Sequence, residues 1–245
     1  MLKITRIKLP LANAYLVQGR QTILVDTGAP GDDDRIVAAM EQAGVAPHDL
    51  ALILLTHGHG DHAGSAGALA QRTGAPIALH RADLAQVQAG RNDRLNTTGL
   101  EARLIRPFVD KPFPAFTPSV LLDEDVSLAD LGVDLGEDAH MLPTPGHTPG
   151  SMALILPEQG DAMVGDVLMG GWMGGTLRPT RPNVHYFVDD PAALQDSLAR
   201  LLASNCTRWH VGHGGPLRHA DIAAAQPRLQ AGCNSLWGQR CASPV

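Results

Sequence analysis

The stretch 56–64 reads Thr-His-Gly-His-Gly-Asp-His-Ala-Gly and sets His57, His59, Asp61 and His62 close together. Neutral imidazole is a good ligand for zinc and related cations, and carboxylate is a harder partner. Alternate side chains diverge in a turn, so His57 and His59 can address one metal while Asp61 and His62 address a second. Gly58 and Gly60 allow backbone angles closed to other residues and leave room beside the ions. In a chain with 11 histidines, the pattern H-x-H-x-D-H arises by chance on the order of once in a thousand such chains. A fortuitous cluster on a solvated loop is therefore the poorer explanation.

Further ligand-type residues lie downstream, each in or beside a glycine-containing turn. His147 sits in Pro143-Thr144-Pro145-Gly146-His147-Thr148-Pro149-Gly150, Asp166 follows Gly165, and His213 lies in Gly212-His213-Gly214-Gly215. In open α/β sheets, ligand crevices form at the carboxyl ends of strands. Asp26, in Asp26-Thr27-Gly28, either caps a turn or stands behind a metal-binding imidazole and fixes its ring; both readings stay open. His80 has no neighbouring ligand and reads as structural. Asp32-Asp33-Asp34 reads as a charged helix start rather than a calcium loop.

The elements that must position these residues follow from pattern. Alternation over 2–9 predicts a strand with one wet face. The apolar runs 14–18 and 22–25 predict a hairpin, 31–43 a helix, and 50–55 a buried strand leading into the histidine-rich turn. The Ala-rich stretch 63–73 predicts a helix, 76–79 a strand ending at His80, and 81–89 another helix. Segment 90–118 is the least regular, with Pro107, Pro112, Pro114 and Pro118 between Phe108, Phe113 and Phe116. It is either a surface connector or a flap that excludes water from the site, and the flap is favoured. Short strands are expected at 120–122, 126–128, 133–135, 152–156, 161–165 and 208–211, 139–142 leads into the turn that carries His147, and 170–183 is expected to be a loop. Asp190-Pro191 opens a helix with Leu194, Leu198, Leu201 and Leu202 as its buried stripe. A last helix is expected over 219–229, followed by a tail at 233–245.

Composition bounds the rest. At 245 residues, 44% apolar and 18% charged, the chain suits a single domain over 1–245. Aromatics are only 4%, so the core must be largely aliphatic. The net charge of −6, without a Lys/Arg cluster, argues against a nucleic-acid partner. Cys206, Cys233 and Cys241 are odd in number and lack C-x-x-C spacing, which opposes a disulfide framework and a zinc knuckle. Cys206 reads as a core residue, and a Cys233–Cys241 pair is not favoured. Without a secretory signal pattern or a long apolar window, a cytoplasmic protein without a membrane partner is expected. Oligomeric state is left open.

Five segments together carry a family resemblance: L-V-D-T-G at 24–28, T-H-G-H-G-D-H at 56–62, T-P-G-H-T-P-G-S at 144–151, G-D at 165–166 and G-H-G at 212–214. The sequence resembles the metallo-β-lactamase fold hydrolases, a group that includes glyoxalase II, lactonases, RNase Z and the zinc β-lactamases. The resemblance implies a four-layer αβ/βα sandwich of two mixed β-sheets flanked by helices. It implies that His57, His59 and His147 bind one metal, that Asp61, His62 and His213 bind a second, and that Asp166 bridges them. Asp26 matches the family's aspartate behind the ligands. The implied cofactors are two divalent ions, zinc first, with iron or manganese as alternatives. Such a pair lowers the pKa of a shared water, and the bridging hydroxide attacks a small-molecule substrate. Asp61 and Asp166 are the candidate catalytic residues, Asp61 orienting the hydroxide or passing a proton.

Departures narrow the choice. Zinc β-lactamases generally lack the bridging aspartate, and flavodiiron proteins carry Glu where His59 stands. Glyoxalase II agrees at every ligand but usually has a longer helical C-terminal part with basic contacts. Lactonases often place a Tyr shortly after the bridging Asp, where Val167, Leu168 and Met169 follow here. His185 or Tyr186 either approaches the site or packs on the surface. Arg178 and Arg181 either hold a substrate anion or are solvated, and Trp172 and Met173 are expected to join the flap around a partly apolar pocket. The reading favoured is a dinuclear hydrolase of a small ester, thioester or lactone. The alternatives are a mononuclear iron persulfide dioxygenase-like enzyme using His57, His59 and Asp166, and a phosphodiesterase.

Overall fold

The computed structural model describes residues 1–93 and 95–230. The tail at 233–245 and the Cys233–Cys241 pair lie outside the described residues. The chain begins with β1 (Lys3–Lys8), β2 (Asn13–Gln18) and β3 (Thr22–Val25), then α1 (Asp33–Gln42) and β4 (Leu50–Leu54). Next come α2 (Gly60–Ala63), α3 (Ala66–Thr73), β5 (Ile77–His80), α4 (Leu84–Ala89) and α5 (Leu100–Val109). The second half holds β6 (Val120–Leu122), β7 (Val126–Ser127), β8 (His140–Pro143), β9 (Met152–Leu156), β10 (Asp161–Gly165), β11 (Met169–Trp172) and β12 (Leu177–Asn183). It closes with α6 (Pro191–Leu202), β13 (Arg208–Val211), β14 (Leu217–Arg218) and α7 (His219–Gln230).

One sheet runs β1-β2-β3-β4-β5-β6, antiparallel through β3 and parallel from β3 to β6. The other runs β14-β13-β10-β9-β8-β7, with β10 and β13 parallel and the remaining pairs antiparallel. Alternation along the strands builds the layers. Ile23, Val25, Leu52 and Leu54 meet Met152, Leu154 and Leu156 between the sheets. Leu24, Ile53 and Leu55 face outward onto Ile36, Met40 and Leu69 of α1 and α3. On the far side, Ala153, Ile155 and Val164 pack against Leu194, Leu198 and Leu201 of α6 and Ile222 of α7. The result is the αβ/βα sandwich expected from the sequence.

Several local expectations change. The helix foreseen at 63–73 is two pieces, and the first begins inside the histidine motif at Gly60. Segment 133–135 is not a strand, and 170–183 is not a loop: β11 and β12 form a separate two-stranded hairpin. Its glycines and prolines hid the pattern, since Gly171 takes φ 72° and the pairing shifts register there. Segment 90–118 contains α5 with Pro107 inside it. Phe113 is buried and, with Phe116, packs into the core beneath the outer helices, while Phe108 is exposed. The Phe113 ring lies where a side chain on Gly60 would stand, so that glycine lets the metal-type turn sit on the core.

Asp161, at the start of β10, is buried and accepts hydrogen bonds from Arg208 Nε (2.5 Å) and Nη2 (2.7 Å) and His210 Nε2 (2.8 Å). Burial alone would raise its pKa, but Arg208 and His210 bring it down to about 2. A depressed carboxyl pKa stabilises the fold above the unfolded value and ceases to do so as pH falls through the folded one. Asp161→Asn is expected to cost about 2 kcal/mol at neutral pH, kept modest because Arg208 is largely solvated. That is a fall of roughly 4–8 °C in Tm. The gap to the parent should close between about pH 4 and pH 2. Thermal melts across that range check it, and a constant gap would contradict it.

Candidate metal centre

The histidine motif begins where β4 ends. Thr56 N donates to Asp26 Oδ1 (2.8 Å) and Thr56 Oγ1 donates to Asp26 Oδ2 (2.8 Å), tying the ends of neighbouring parallel strands together. Thr27 N and Oγ1 both donate to the His62 carbonyl (2.7 Å each), fixing the first turn of α2. Asp83, wholly buried, accepts from Gly58 N, Gly150 N and Thr148 Oγ1 at 2.8 Å each. It thereby fastens the His57–His62 turn to the His147 turn. Burial raises the Asp83 pKa, opposed by these hydrogen bonds.

All seven residues singled out in the sequence converge. His57, His59 and His147 form one set able to hold a cation, Asp61, His62 and His213 another, and Asp166 stands with His57 and His62. His147 Nε2 lies 3.2 Å from His57 Nε2 and 3.0 Å from His59 Nδ1. The outer ring atoms decide what these inner nitrogens present. His147 Nδ1 donates to the Phe187 carbonyl (2.8 Å), His213 Nδ1 to the Leu11 carbonyl (2.8 Å) and His62 Nδ1 to Asp26 Oδ2 (2.9 Å). The Thr56 hydroxyl has given its proton to Asp26, so at 3.1 Å it accepts from His57 Nδ1. In neutral rings the inner nitrogens of His57 and His147 therefore present bare lone pairs to one another at 3.2 Å, an arrangement that fits a cation. His62 Nε2 and Asp166 Oδ1 are buried without a well-formed hydrogen bond among the described residues, which fits equally well.

Asp166 Oδ2 lies at the hub, 3.2 Å from His213 Nε2, 3.3 Å from His62 Nε2, 3.5 Å from His147 Nε2 and 3.9 Å from His57 Nε2. Burial would raise the Asp166 pKa, yet the imidazoles of His185, His213 and His62 hold it well below the ordinary carboxylate range. Burial, then the neighbouring imidazoles, keeps His57 well below its usual value. Burial pushes His62 down, but the Asp166 and Asp26 carboxylates prevail and raise it. Gly212 is required here, because a Cβ would meet Asp166 Oδ1 at 2.1 Å and His62 Cε1 at 2.4 Å.

The sequence left His185 open, and the structure buries it in the site, with Nε2 3.1 Å from Asp166 Oδ2. The signal available was its setting, a lone imidazole in the run Val184-His185-Tyr186-Phe187-Val188. Tyr186 is also buried rather than on the surface. Its hydroxyl donates to Glu101 Oε1 (2.6 Å) and accepts from Met173 N (2.7 Å), joining α5 to the β11–β12 hairpin. Asp83 had no sequence signal beyond a helix start. His80 is structural as expected, its ring 3.2 Å from the Asp123 carbonyl. Leu11, Leu95, Ile105, Val109, Tyr186 and Phe187 wall a cavity over His59, Asp61, Asp166, His185 and His213. Arg178 and Arg181 do not line it, and Arg181 lies over the Trp172 ring at 5.1 Å. Trp172 is buried away from the cavity and Met173 is exposed.

Residues 8–213 match the Metallo-beta-lactamase superfamily. The chain is 27% identical to Metallo-beta-lactamase domain-containing protein 1 of Xenopus laevis, over 87% of this chain and 76% of that protein. It is 33% identical to a hydroxyacylglutathione hydrolase of Anaeromyxobacter dehalogenans, over 81% of this chain and 59% of that protein. Among solved structures, TTHA1623 in a di-iron-bound form aligns with TM-score 0.61 and 28% identity, covering 89% of this chain and 95% of that one. Two mixed sheets between helices, overlapping sets of residues able to hold cations and a family match over most of the length lead to one conclusion: this chain belongs to the metallo-β-lactamase superfamily, as a metal-dependent hydrolase.

Proposed function

We propose that the protein hydrolyses a small ester, thioester or lactone at a pair of zinc ions. His57, His59 and His147 hold one ion, Asp61, His62 and His213 the other, and Asp166 joins them. Two divalent ions in these sets supply an acidified water and a Lewis acid for the substrate carbonyl. The chain's residues do the rest. The apolar wall of Leu11, Leu95, Ile105, Val109 and Phe187 holds an acyl group and excludes water. That wall over the metal-type floor is the observation that supports this substrate class. α5, tethered through Glu101 and Thr98 to the segment carrying His185 and Tyr186, is the part of the 90–118 segment that covers the cavity, through Ile105 and Val109. The hydroxyacylglutathione hydrolase relative supports thioester chemistry. The iron-dioxygenase alternative in the form His57, His59 and Asp166 is disfavoured, because His59 shares no cation-type set with Asp166 among the described residues.

Asp61 is less buried than the other donors and lines the cavity, with Oδ2 3.5 Å from His213 Nε2. We assign it the role of orienting the attacking water or passing a proton to the leaving group. Metal analysis joined to a panel of thioester, lactone, phosphodiester and cephalosporin substrates tests the whole reading. Two zinc ions per chain with turnover of the thioester or lactone is expected; one iron, or turnover only of the phosphodiester, would refute it. In Asp61→Asn variants that retain both ions, kcat should fall about 10²–10⁴-fold. An unchanged rate would remove this role.

A further inference from the structure

His185 differs from the imidazoles of His57, His62, His147 and His213. His147, His213 and His62 each give the outer N–H to an acceptor, which in a neutral ring leaves the inner nitrogen bare. The His185 Nδ1 atom faces two groups of Phe187, its N–H and its carbonyl, both at 3.2 Å. The carbonyl already accepts from His147 Nδ1 at 2.8 Å. The Phe187 N–H is buried, and among the described residues its only hydrogen-bond acceptor is His185 Nδ1. The neighbouring bridge to Thr97 does not use it, because the flanking bonds run from Thr98 N to the Tyr186 carbonyl and from Val188 N to the Asn96 carbonyl. A buried N–H must be paired. Nδ1 of His185 therefore accepts, and in a neutral ring the proton lies on Nε2. That N–H points inward to Asp166 Oδ2 at 3.1 Å, and the ring lines the cavity.

A protonated ring nitrogen cannot ligate a cation, so nearness to Asp166 and His147 does not make His185 a metal ligand. We infer that His185 is the hydrogen-bond donor of this site, aiming Nε2–H at the Asp166 carboxylate and at a substrate oxygen entering beside it. The inference rests on the hydrolase reading for the identity of that oxygen, a carbonyl that gains negative charge during attack. A fixed donor strengthens as that charge develops and needs no rearrangement to meet it. The Phe187 N–H makes the donor permanent, by occupying the nitrogen on which the proton would otherwise rest.

The test uses zinc-loaded protein. Two-bond ¹H–¹⁵N correlation spectra, with His185 assigned by its loss in His185→Gln, should show the proton on Nε2; a proton on Nδ1 overturns the inference. Zinc content of His185→Ala and His185→Gln should equal that of the parent, and loss of an ion would make His185 a ligand instead. Acetohydroxamate, which offers a carbonyl oxygen to the site, should bind His185→Ala at least tenfold more weakly by calorimetry, with partial recovery in His185→Gln. Equal binding, or no binding by the parent, counts against the assignment. With a substrate in hand, kcat should drop about 10²-fold in His185→Ala while KM changes little. If the parent turns over no ester, thioester or lactone, the hydrolase reading fails by that result, while the spectra, the zinc content and hydroxamate binding still decide the role of His185.

Discussion

Asp166→Ala is expected to yield a folded protein that holds at most one metal ion and hydrolyses its substrate at least about 10³-fold more slowly. Among the described residues Asp166 is the one carboxylate within 4 Å of His57, His62, His147 and His213 alike. Asp61 reaches only His62 and His213. Without Asp166, neutral imidazoles would surround the space between two dications, and nothing there would offset the repulsion between them. The fold should survive, because β10 is secured by its main-chain pairing to β9 and β13 and by the side chains of Ala162 and Val164 in the core. Asp166→Asn separates charge from shape: it fills the same space, lacks the negative charge, and should also lose the second ion. Elemental analysis, a thermal melt and a kcat measurement on the three proteins decide the matter. Two ions retained in Asp166→Ala would show that the carboxylate does not join them.

What could be read in the sequence was whatever is local. The histidine turn, the run at 50–55 and the capped helix at Asp190 each announce themselves within a few residues, since Asp190 Oδ1 accepts from Ala192 N and Ala193 N as an N-cap should. That the turns at 57–62, 147, 166 and 213 share one centre came from the family resemblance, because spacing along the chain says nothing about which strand ends lie side by side. What escaped was set by distant partners. Trp172 reads as a pocket residue until the β11–β12 hairpin turns it inward. Phe113 and Phe116 read as lid residues until their packing against the outer helices makes them core. Asp83 reads as an ordinary acid at a helix start, and only the approach of Gly58 and Gly150 from separate loops turns it into a clasp. His185 escaped for the same reason: its role depends on the Phe187 backbone and on an aspartate at the end of another strand.

Asp26 is expected to govern both ions from behind. Its carboxylate receives His62 Nδ1–H directly, and through the Thr56 hydroxyl it sets the tautomer of His57, so one buried group orients a donor in each set. Removing such a partner typically costs 10–100-fold in metal affinity, and here two ions depend on it. Asp26→Ala confounds this with backbone strain, because residue 26 sits at φ 60°, a region alanine resists. Asp26→Gly relieves the backbone and deletes only the carboxylate, while Asp26→Asn tolerates the angle but meets three donors, Thr56 N, Thr56 Oγ1 and His62 Nδ1, with a single acceptor oxygen. Zinc affinity should therefore fall about 10–100-fold at each set in both Asp26→Gly and Asp26→Asn, read by competition with a chelator of known strength. Stability without metal should fall more in Asp26→Ala than in Asp26→Gly, by about 1 kcal/mol from the backbone alone. If only the set containing His62 weakens, Thr56 does not relay the effect to His57. If neither weakens, Asp26 serves the strand ends and not the metal centre.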